Sequence, residues 1–495
     1  MRNAGRFFFF EIQCCQGRRH ILEQFNQPPH PTLPYYFEPG KGNKPRVNPA
    51  LLALSFRETY PYLLVRSETQ EKTWFYLYED GVYRLKTAGE VRGILKYMVS
   101  QFDEGAVQMR DIRLAYDDVT SEPDAMAPPD ALNRAEGLVF FQNGFLDLET
   151  MRLLPHTPAI YSTVMLPCDY DPGAPQPERF LQFLDDLTTG DRATKRLLLQ
   201  FMGVTLSSIF GYRMKQALFL YGPGNTGKSV FRNLLIDLLG EHNTFTVGID
   251  EMEKPFALAG AFGKRMIGDS DLSFLNTKEM NNFKKLTGGD RMVFERKGID
   301  RMHAVYRGTV LYCTNRLPRF GGDKGGHVYD RIIPVPCERV IAPEKQDKRL
   351  LKALRREYPG IINLALEGAK QVIQNGYRYD LPPRSRAARQ AYQAQNSSPL
   401  SFFESCCVRR EAARNAKDSA TVSKVYAVYQ AWCKDNGLFG EPKRVFEEEI
   451  AAALDTTPEE MKKKTNPGML YEPFTLTIET KEAYRRIYGT DYLTD

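Results

Sequence analysis

Residues 217–239 read ALFLYGPGNTGKSVFRNLLIDLL, and the fold is decided there. Ala217 to Tyr221 is a short unbroken apolar run of strand length. Gly222-Pro223-Gly224-Asn225-Thr226-Gly227-Lys228-Ser229 follows and fits the phosphate-loop pattern G-x-x-x-x-G-K-[ST]. From Val230 onward the apolar residues recur at helical spacing. Strand, glycine-rich loop and helix are the context the motif needs. Glycines let backbone N–H groups close around phosphate oxygens, and the helix start adds partial positive charge. Lys228 is expected to reach the β- and γ-phosphates and Ser229 to bind Mg²⁺, with residues 222–230 forming the nucleotide cradle. The alternative is a glycine-rich turn that matches by accident.

Phosphate chemistry also needs a carboxylate at a neighbouring strand end. Residues 265–271, RMIGDSD, offer Asp269 and Asp271. A spacing of two would put both on one face of a strand. A solvated acidic turn explains the same residues. Residues 308–315, GTVLYCTN, read as a buried strand ending in Asn315, which could sense a γ-phosphate or be an ordinary strand-end amide. Residues 321–336, GGDKGGHVYDRIIPVP, close on Asp330-Arg331 and a strand. Arg331 could reach a neighbouring subunit's γ-phosphate, or it could be half of a surface ion pair. Residues 292–294 and 302–306 could pair as a hairpin with a basic tip that includes Arg296, Lys297 and Arg301. Such a tip could grip single-stranded DNA, although a solvated charged turn has the same composition.

Composition sets wide bounds. A chain of 495 residues has room for three or four domains. Its 42% hydrophobic and 26% charged residues are ordinary for a globular protein. A formal charge of +6 permits a nucleic-acid partner without demanding one. No stretch reaches transmembrane length, and the apolar run at 7–10 is too short for a signal segment. A cytoplasmic location and no membrane partner are the expectation. The 8 cysteines contain no C-x-x-C, so free buried thiols are expected rather than zinc or disulfides.

Most of residues 1–90 read as irregular. The exception is a hairpin over 73–85 turning at Glu79-Asp80-Gly81, and an amphipathic helix over 88–102 follows. Residues 138–154 form a second hairpin region with turns at Asn143-Gly144 and Glu149-Thr150. Helices are expected over 179–187 and 194–206, and over 350–374 with a break at Pro359-Gly360. Residues 380–386 read as a linker. Helices over 420–435 and 444–454, then paired strands at 469–471 and 474–478, sketch a winged helix.

These pieces, in this order, resemble the superfamily 3 helicases. The nearer resemblance is to the phage/plasmid primase-helicase family related to the poxvirus primase-helicase. The residues that carry it are YGPGNTGKS, GKRMIGDSDL, KKLTGGDRMVFERK, GTVLYCTNRLP and YDRIIPVP. Upstream, NGFLDLET, LPHTPA and LPCDYDP look like the family's helicase-associated domain. Downstream, PGIINLALEGAKQVI and VYAVYQAWCKDNG look like its lid helices and C-terminal winged helix. The resemblance spans roughly residues 90–480. It implies a multi-domain α/β protein with a P-loop AAA+-type ATPase core. Expected boundaries are 1–90 of unknown role, 91–205 helicase-associated, 206–345 ATPase core, 346–395 lid and linker, and 396–495 winged-helix-like.

The resemblance assigns Gly222, Gly227, Lys228 and Ser229 to Walker A and Asn315 to sensor 1. Arg331 becomes a finger acting in trans, and Lys297 a DNA contact. Asp271 stands where the family usually has a Walker B Glu, with Asp269 the other candidate. The implied activity is an ATP- and Mg²⁺-dependent replicative DNA helicase of a phage, prophage or plasmid in a bacterial cytoplasm. It would act on single-stranded and forked DNA as a homo-oligomeric ring, usually a hexamer, with a separate primase as a possible partner. No D-x-D with a downstream His sits in strand context upstream, so primer synthesis is not expected. A replication initiator that uses ATP for assembly is the alternative, and a P-loop kinase the more distant one.

Overall fold

The computed structural model describes residues 34–40, 44–66, 73–270, 276–277, 280–295, 302–320, 326–409, 421–465 and 468–488. The chain divides into two compact units, residues 1–61 with 86–124, and residues 62–85 with 125–495.

In the first unit, an antiparallel ribbon of Phe37–Pro39 and Pro45–Val47 precedes a helix, Pro49–Thr59. The Asn48 side chain accepts from the N–H groups of Ala50 and Leu51, and Pro49 supplies a preset first helical residue. This helix was not foreseen, because 27–49 is rich in helix breakers and its apolar stripe is short. Ala88–Ser100 begins with a reciprocal Thr87/Glu90 capping box, and Met109–Thr120 completes the unit. Leu52, Phe56, Val91, Leu95, Ile112 and Val119 are its buried core.

The second unit opens with the expected hairpin, Trp74–Glu79 and Val82–Lys86, in a four-stranded sheet. Asp80 and Gly81 take positive φ at its two-residue turn. Leu138–Phe141, Gly144–Asp147 and Arg152–Leu154 then form a three-stranded meander. Helices Glu178–Thr188 and Arg192–Leu206 lead to the central sheet.

That sheet holds β1 (Ala217–Tyr221), followed by α1 (Lys228–Leu239), β2 (Thr244–Thr246) and β3 (Met266–Gly268). Next come α2 (Asn281–Gly288), a hairpin of β4 (Arg291–Phe294) and β5 (Met302–Val305), β6 (Thr309–Thr314) and β7 (Ile332–Pro336). The sheet order is β2-β3-β6-β1-β7, and every neighbouring pair is parallel. Parallel strands covered on both faces read as continuous apolar runs, and β1, β6 and β7 are buried almost throughout. Alternation sorts their side chains. Leu218, Leu220, Leu311, Cys313, Ile333 and Val335 face one core with α1 and the helices of 178–206. Phe219, Ile267, Tyr312 and Ile332 face another with α2 and the hairpin.

Several local expectations are corrected. The break in 350–374 falls at a 3₁₀ turn, Arg355–Glu357, and Pro359 sits in the first turn of Tyr358–Gln374. Proline is tolerated there because the N–H it lacks has no intrahelical partner. The supposed linker 380–386 contains the start of a helix, Pro383–Asn396, again opened by a proline. Gly203 lies against Ala365 and Ala369, and this small-residue contact lets the 192–206 and 358–374 helices pack closely.

The strand pair expected at 469–471 and 474–478 does not form. Gly468–Tyr471 pairs with Lys462–Thr465, and Phe474–Leu476 pairs with Cys407–Arg409. The sequence Lys462-Lys463-Lys464 reads as a solvated run. It nonetheless pairs as a strand, with Lys462 meeting the buried Glu447 and Lys463 meeting Glu472 in solvent. Ile478 opens a helix capped by Thr477. Val422–Asp435 and Lys443–Ala453 pack with these ribbons around Phe402, Tyr429, Phe446 and Tyr471.

Candidate functional site

At the C-terminal end of β1 the chain leaves the sheet through Gly222, with φ of 138°, and the Gly222 N–H donates to Thr314 O at 3.2 Å. A Cβ on Gly222 would lie 2.2 Å from Cys337 O, so no other residue fits. Gly227, with φ of 96°, turns the loop into α1, and a Cβ there would crowd the Phe183 ring at 3.1 Å. Asn225 O accepts from the Ile341 N–H at 2.9 Å, which fixes the loop's outer limb. No side chain caps the first turn of α1, so its N–H donors are open to an anion.

Lys228 is 7% exposed, and burial lowers its pKa. Its Nζ donates to Gly222 O at 2.8 Å, Pro223 O at 2.6 Å and Thr226 Oγ1 at 3.2 Å. The ammonium therefore lies inside the loop, held by neutral acceptors that an anionic oxygen would outcompete. Ser229 is exposed beside it, as are Pro223, Gly224 and Asn225, while Thr226 is buried and Val230 half-buried.

Asp269 follows β3 directly and is half-buried. Its backbone O accepts from the Cys313 N–H at 2.9 Å, and its Oδ1 accepts from the Ser270 N–H at 2.6 Å. The strand ends at Gly268, so the two-residue spacing of Asp269 and Asp271 does not rest on strand alternation. Asp271 lies outside the described residues. Asn315 follows β6 and is exposed. The pairing of Tyr221 with Thr314 sets it beside the start of the loop. Lys228, Asp269 and Asn315 thus gather at one edge of one sheet.

Arg331 does not join them. Its backbone O accepts from the Ala217 N–H at 2.7 Å, at the start of β1. Four strand steps of about 3.3 Å put it roughly 13 Å from Tyr221 along the strand. Its Nη1 donates to Thr287 Oγ1 at 3.1 Å and Lys284 O at 3.3 Å, at the end of α2.

The expected hairpin is formed by β4 and β5, with Arg291 opposite Val305 and Phe294 opposite Met302. Its proposed DNA contacts, Arg296, Lys297 and Arg301, lie outside the described residues. The base is held by Asp130, whose Oδ2 accepts from Arg291 at 3.0 Å and Oδ1 from the Val305 N–H at 3.2 Å.

Two buried arginines escaped the sequence reading. Arg232, one turn beyond Lys228, is 7% exposed and donates from Nη2 to Thr246 Oγ1 at 2.8 Å and Gly268 O at 3.4 Å. It ties α1 to the ends of β2 and β3, next to Asp269. The signal was an arginine on a helix face otherwise made of Phe231, Leu234 and Leu235. Arg265 donates to the carbonyls of Val204, Thr205, Ile209 and Arg307, and burial lowers its pKa to about 10.

Among the described residues no group of three or more His, Cys, Asp or Glu could hold a metal, and no helix is long and apolar enough to cross a membrane. Cys313 and Cys337 are buried free thiols whose pKa values burial raises to about 12.

Family comparisons bracket this site. A family described as D5 N terminal like matches residues 55–189, and one described as Poxvirus D5 protein-like matches residues 395–480. These two segments are similar to the phage and poxvirus primase-helicase-like family. Between those segments, a family of unknown function, DUF5906, matches residues 220–331, a span running from β1 through the loop and β6 to Arg331. Among solved structures, the apo C-terminal region of NrS-1 is 11% identical, covering 86% of this chain and 98% of that one with a TM-score of 0.47. An A form of the same region is 10% identical, covering 79% and 81% with a TM-score of 0.46. The family is one of replication proteins, and the mixed α/β fold with a parallel sheet accords with the expected fold class.

Proposed function

We propose that this chain is an ATP-dependent replicative DNA helicase of a phage, prophage or plasmid, working in a bacterial cytoplasm. In this reading residues 206–345 are a P-loop ATPase core of the superfamily 3, AAA+ type. The last hundred or so residues are a winged-helix-like domain. One observation carries it. Lys228, Asp269 and Asn315 sit at one edge of a parallel sheet, while Arg331 sits at the other edge of the same sheet. A single chain therefore holds a phosphate edge and an arginine that cannot serve it. Copies arranged head to tail in a ring, hexameric by resemblance, would bring the two together.

The donor set fits Mg²⁺·ATP. The uncapped start of α1 and the loop N–H groups suit the phosphates, and Lys228 can exchange its carbonyl partners for phosphate oxygens. Ser229 and a carboxylate of Asp269 or Asp271 would hold Mg²⁺, whose charge steadies the leaving phosphate oxygens. Asn315 would orient the attacking water. Arg331 of a neighbour would offset charge that develops during transfer. The basic tip of the β4–β5 hairpin would follow the DNA backbone.

The test is ATP turnover with and without single-stranded DNA, then strand displacement on a fork, for wild type and Lys228→Ala. DNA-stimulated turnover and unwinding that both vanish in the variant support the reading. Turnover that ignores DNA, or unwinding that survives the substitution, sinks it. ATP-dependent assembly on DNA with no turnover would favour an initiator.

A further inference from the structure

Arg232 is buried in α1, as are its neighbours Phe231, Leu234 and Leu235. An apolar side chain of similar length would pack there without taking a guanidinium out of water. The charge is kept although little satisfies it. Among the described residues its hydrogen bonds run only from Nη2, to Thr246 Oγ1 and Gly268 O, and its buried Nε has no partner.

What Arg232 grips is the peptide bond that begins Asp269. Gly268 O accepts from the Val247 N–H at 3.3 Å and from Arg232 Nη2 at 3.4 Å. On the other side of the Asp269 Cα, Asp269 O accepts from the Cys313 N–H at 2.9 Å. Gly268 is pressed onto β6, since a Cβ there would lie 1.6 Å from Leu311 O. The carbonyls on both sides of the Asp269 Cα are thus fixed, and with them the point from which its carboxylate sets out. Thr246 holds Arg232 in turn from β2. Burial raises the Cys313 pKa most, while Arg232 lowers it and Asp269 raises it, so both charges lie around that one side chain.

The geometry points to Arg232 as a positioning residue that acts through the Gly268 carbonyl to aim Asp269 at the metal of Mg²⁺·ATP. The inference rests on the ATPase reading above and gives the metal-facing role to Asp269. Two cations one turn apart on α1 then divide the work, Lys228 facing the phosphates and Arg232 the acid. A carboxylate whose backbone is already fixed is ordered before the metal arrives, and groups that orient metal ligands are worth about tenfold or more in metal affinity.

The experiment uses the full chain and follows binding of a fluorescent, non-hydrolysable ATP analogue as Mg²⁺ is titrated, with melting temperature alongside. Wild-type binding should tighten with Mg²⁺. Arg232→Met keeps the length and packing of the side chain and removes its donors. It should raise the Mg²⁺ needed for half-maximal tightening about tenfold and leave binding in EDTA unchanged. Thr246→Val, at an exposed strand position, removes the acceptor that steadies Arg232 and should raise it about threefold. Asp269→Asn should raise it at least as much as Arg232→Met, and the two together should go no more than about twofold beyond Asp269→Asn alone. A side chain that only packs α1 on the sheet would lower the melting temperature and leave the Mg²⁺ dependence alone. An unchanged Mg²⁺ requirement in folded Arg232→Met, or an effect that adds in full to that of Asp269→Asn, overturns the inference and leaves the ATPase reading standing. If Arg232→Met does not fold, an unshifted Thr246→Val overturns it in the same way. Wild-type binding that ignores Mg²⁺, or that survives Lys228→Ala, removes the ATPase reading as well.

Discussion

The two edges of the central sheet differ in how they hold their cations. At the C-terminal edge Lys228 is buried in a loop of glycines, and neighbouring strand ends supply Asp269 and Asn315. At the N-terminal edge Arg265 is clasped by four carbonyls and Arg331 rests on the end of a helix. All strands run the same way, so every C-terminal strand end, with the loop that follows it, opens on the first edge. The second edge receives chain entering the sheet and is built for packing. The first edge is therefore where a ligand can be gripped. The second is where a residue must reach outward to matter for chemistry.

That contrast breaks first at Lys228. Lys228→Ala should abolish turnover and weaken nucleotide binding by at least about a hundredfold, measured with a fluorescent ATP analogue. Arg331→Ala should instead lower turnover by about a thousandfold with ATP binding retained. Mixed with Lys228→Ala it should regain activity, because each variant keeps the half the other lacks. Loss of nucleotide binding in Arg331→Ala would place the arginine in its own chain's site and erase the distinction between the edges.

Arg265→Leu tests the packing side of the contrast. It leaves the carbonyls of Val204, Thr205, Ile209 and Arg307 without their donor in a buried site. Unsatisfied buried acceptors at about 1 kcal/mol or more apiece should cost roughly 3–5 kcal/mol, read by denaturant unfolding. A loss below about 1 kcal/mol would mean water replaces the guanidinium there. Asp130→Ala should do less. Its ion pair with Arg291 is partly solvated, with Arg291 66% exposed, and Arg307 stands off at 3.9 Å, so global stability should fall by about 1–2 kcal/mol, mainly through the lost Val305 N–H bond. Its effect should appear as faster amide exchange at Val305 and along β4 and β5.

The legibility of the sequence followed the same division. β1, its loop and α1 could be read because three local signals agree within 23 residues: an apolar run, fixed glycines and a helical stripe. The β4–β5 hairpin and β6 were readable for similar reasons. Arg232 and Arg265 were not, because their roles depend on carbonyls brought together by the sheet. Arg331 could be picked out as a residue, but not its dock on α2, which comes from a helix 44 positions away. The C-terminal strands were mispaired for a related reason. Lys462 looks solvated until the buried Glu447, 15 positions away, comes alongside.

The helix Arg192–Leu206 spans the contrast, and its two ends give the smallest and most pH-sensitive prediction. Its C-terminal carbonyls meet Arg265 at the packed edge. At its start, Asp191 accepts from the N–H groups of Ala193 and Thr194 and from the Thr194 hydroxyl. This end is solvated, and Arg384, which acts on Asp191, reaches Glu338 beside the phosphate loop. The hydrogen bond from Thr194 holds the Asp191 pKa below its ordinary 3.8. Because the folded value is the lower one, ionised Asp191 favours the fold above the unfolded pKa. That contribution fades as pH falls below about 3.8 and through the folded value. Asp191→Ala should cost about 1 kcal/mol at pH 7. Asp191→Asn keeps the cap without the charge, so it should lose less at pH 7 and nothing further in acid. Arg265 remains charged throughout, so Arg265→Leu should cost the same at pH 3 as at pH 7. If Asp191→Asn and wild type show the same acid slope, the charge at the open end of the helix contributes no stability, and what distinguishes the two edges is hydrogen bonding alone.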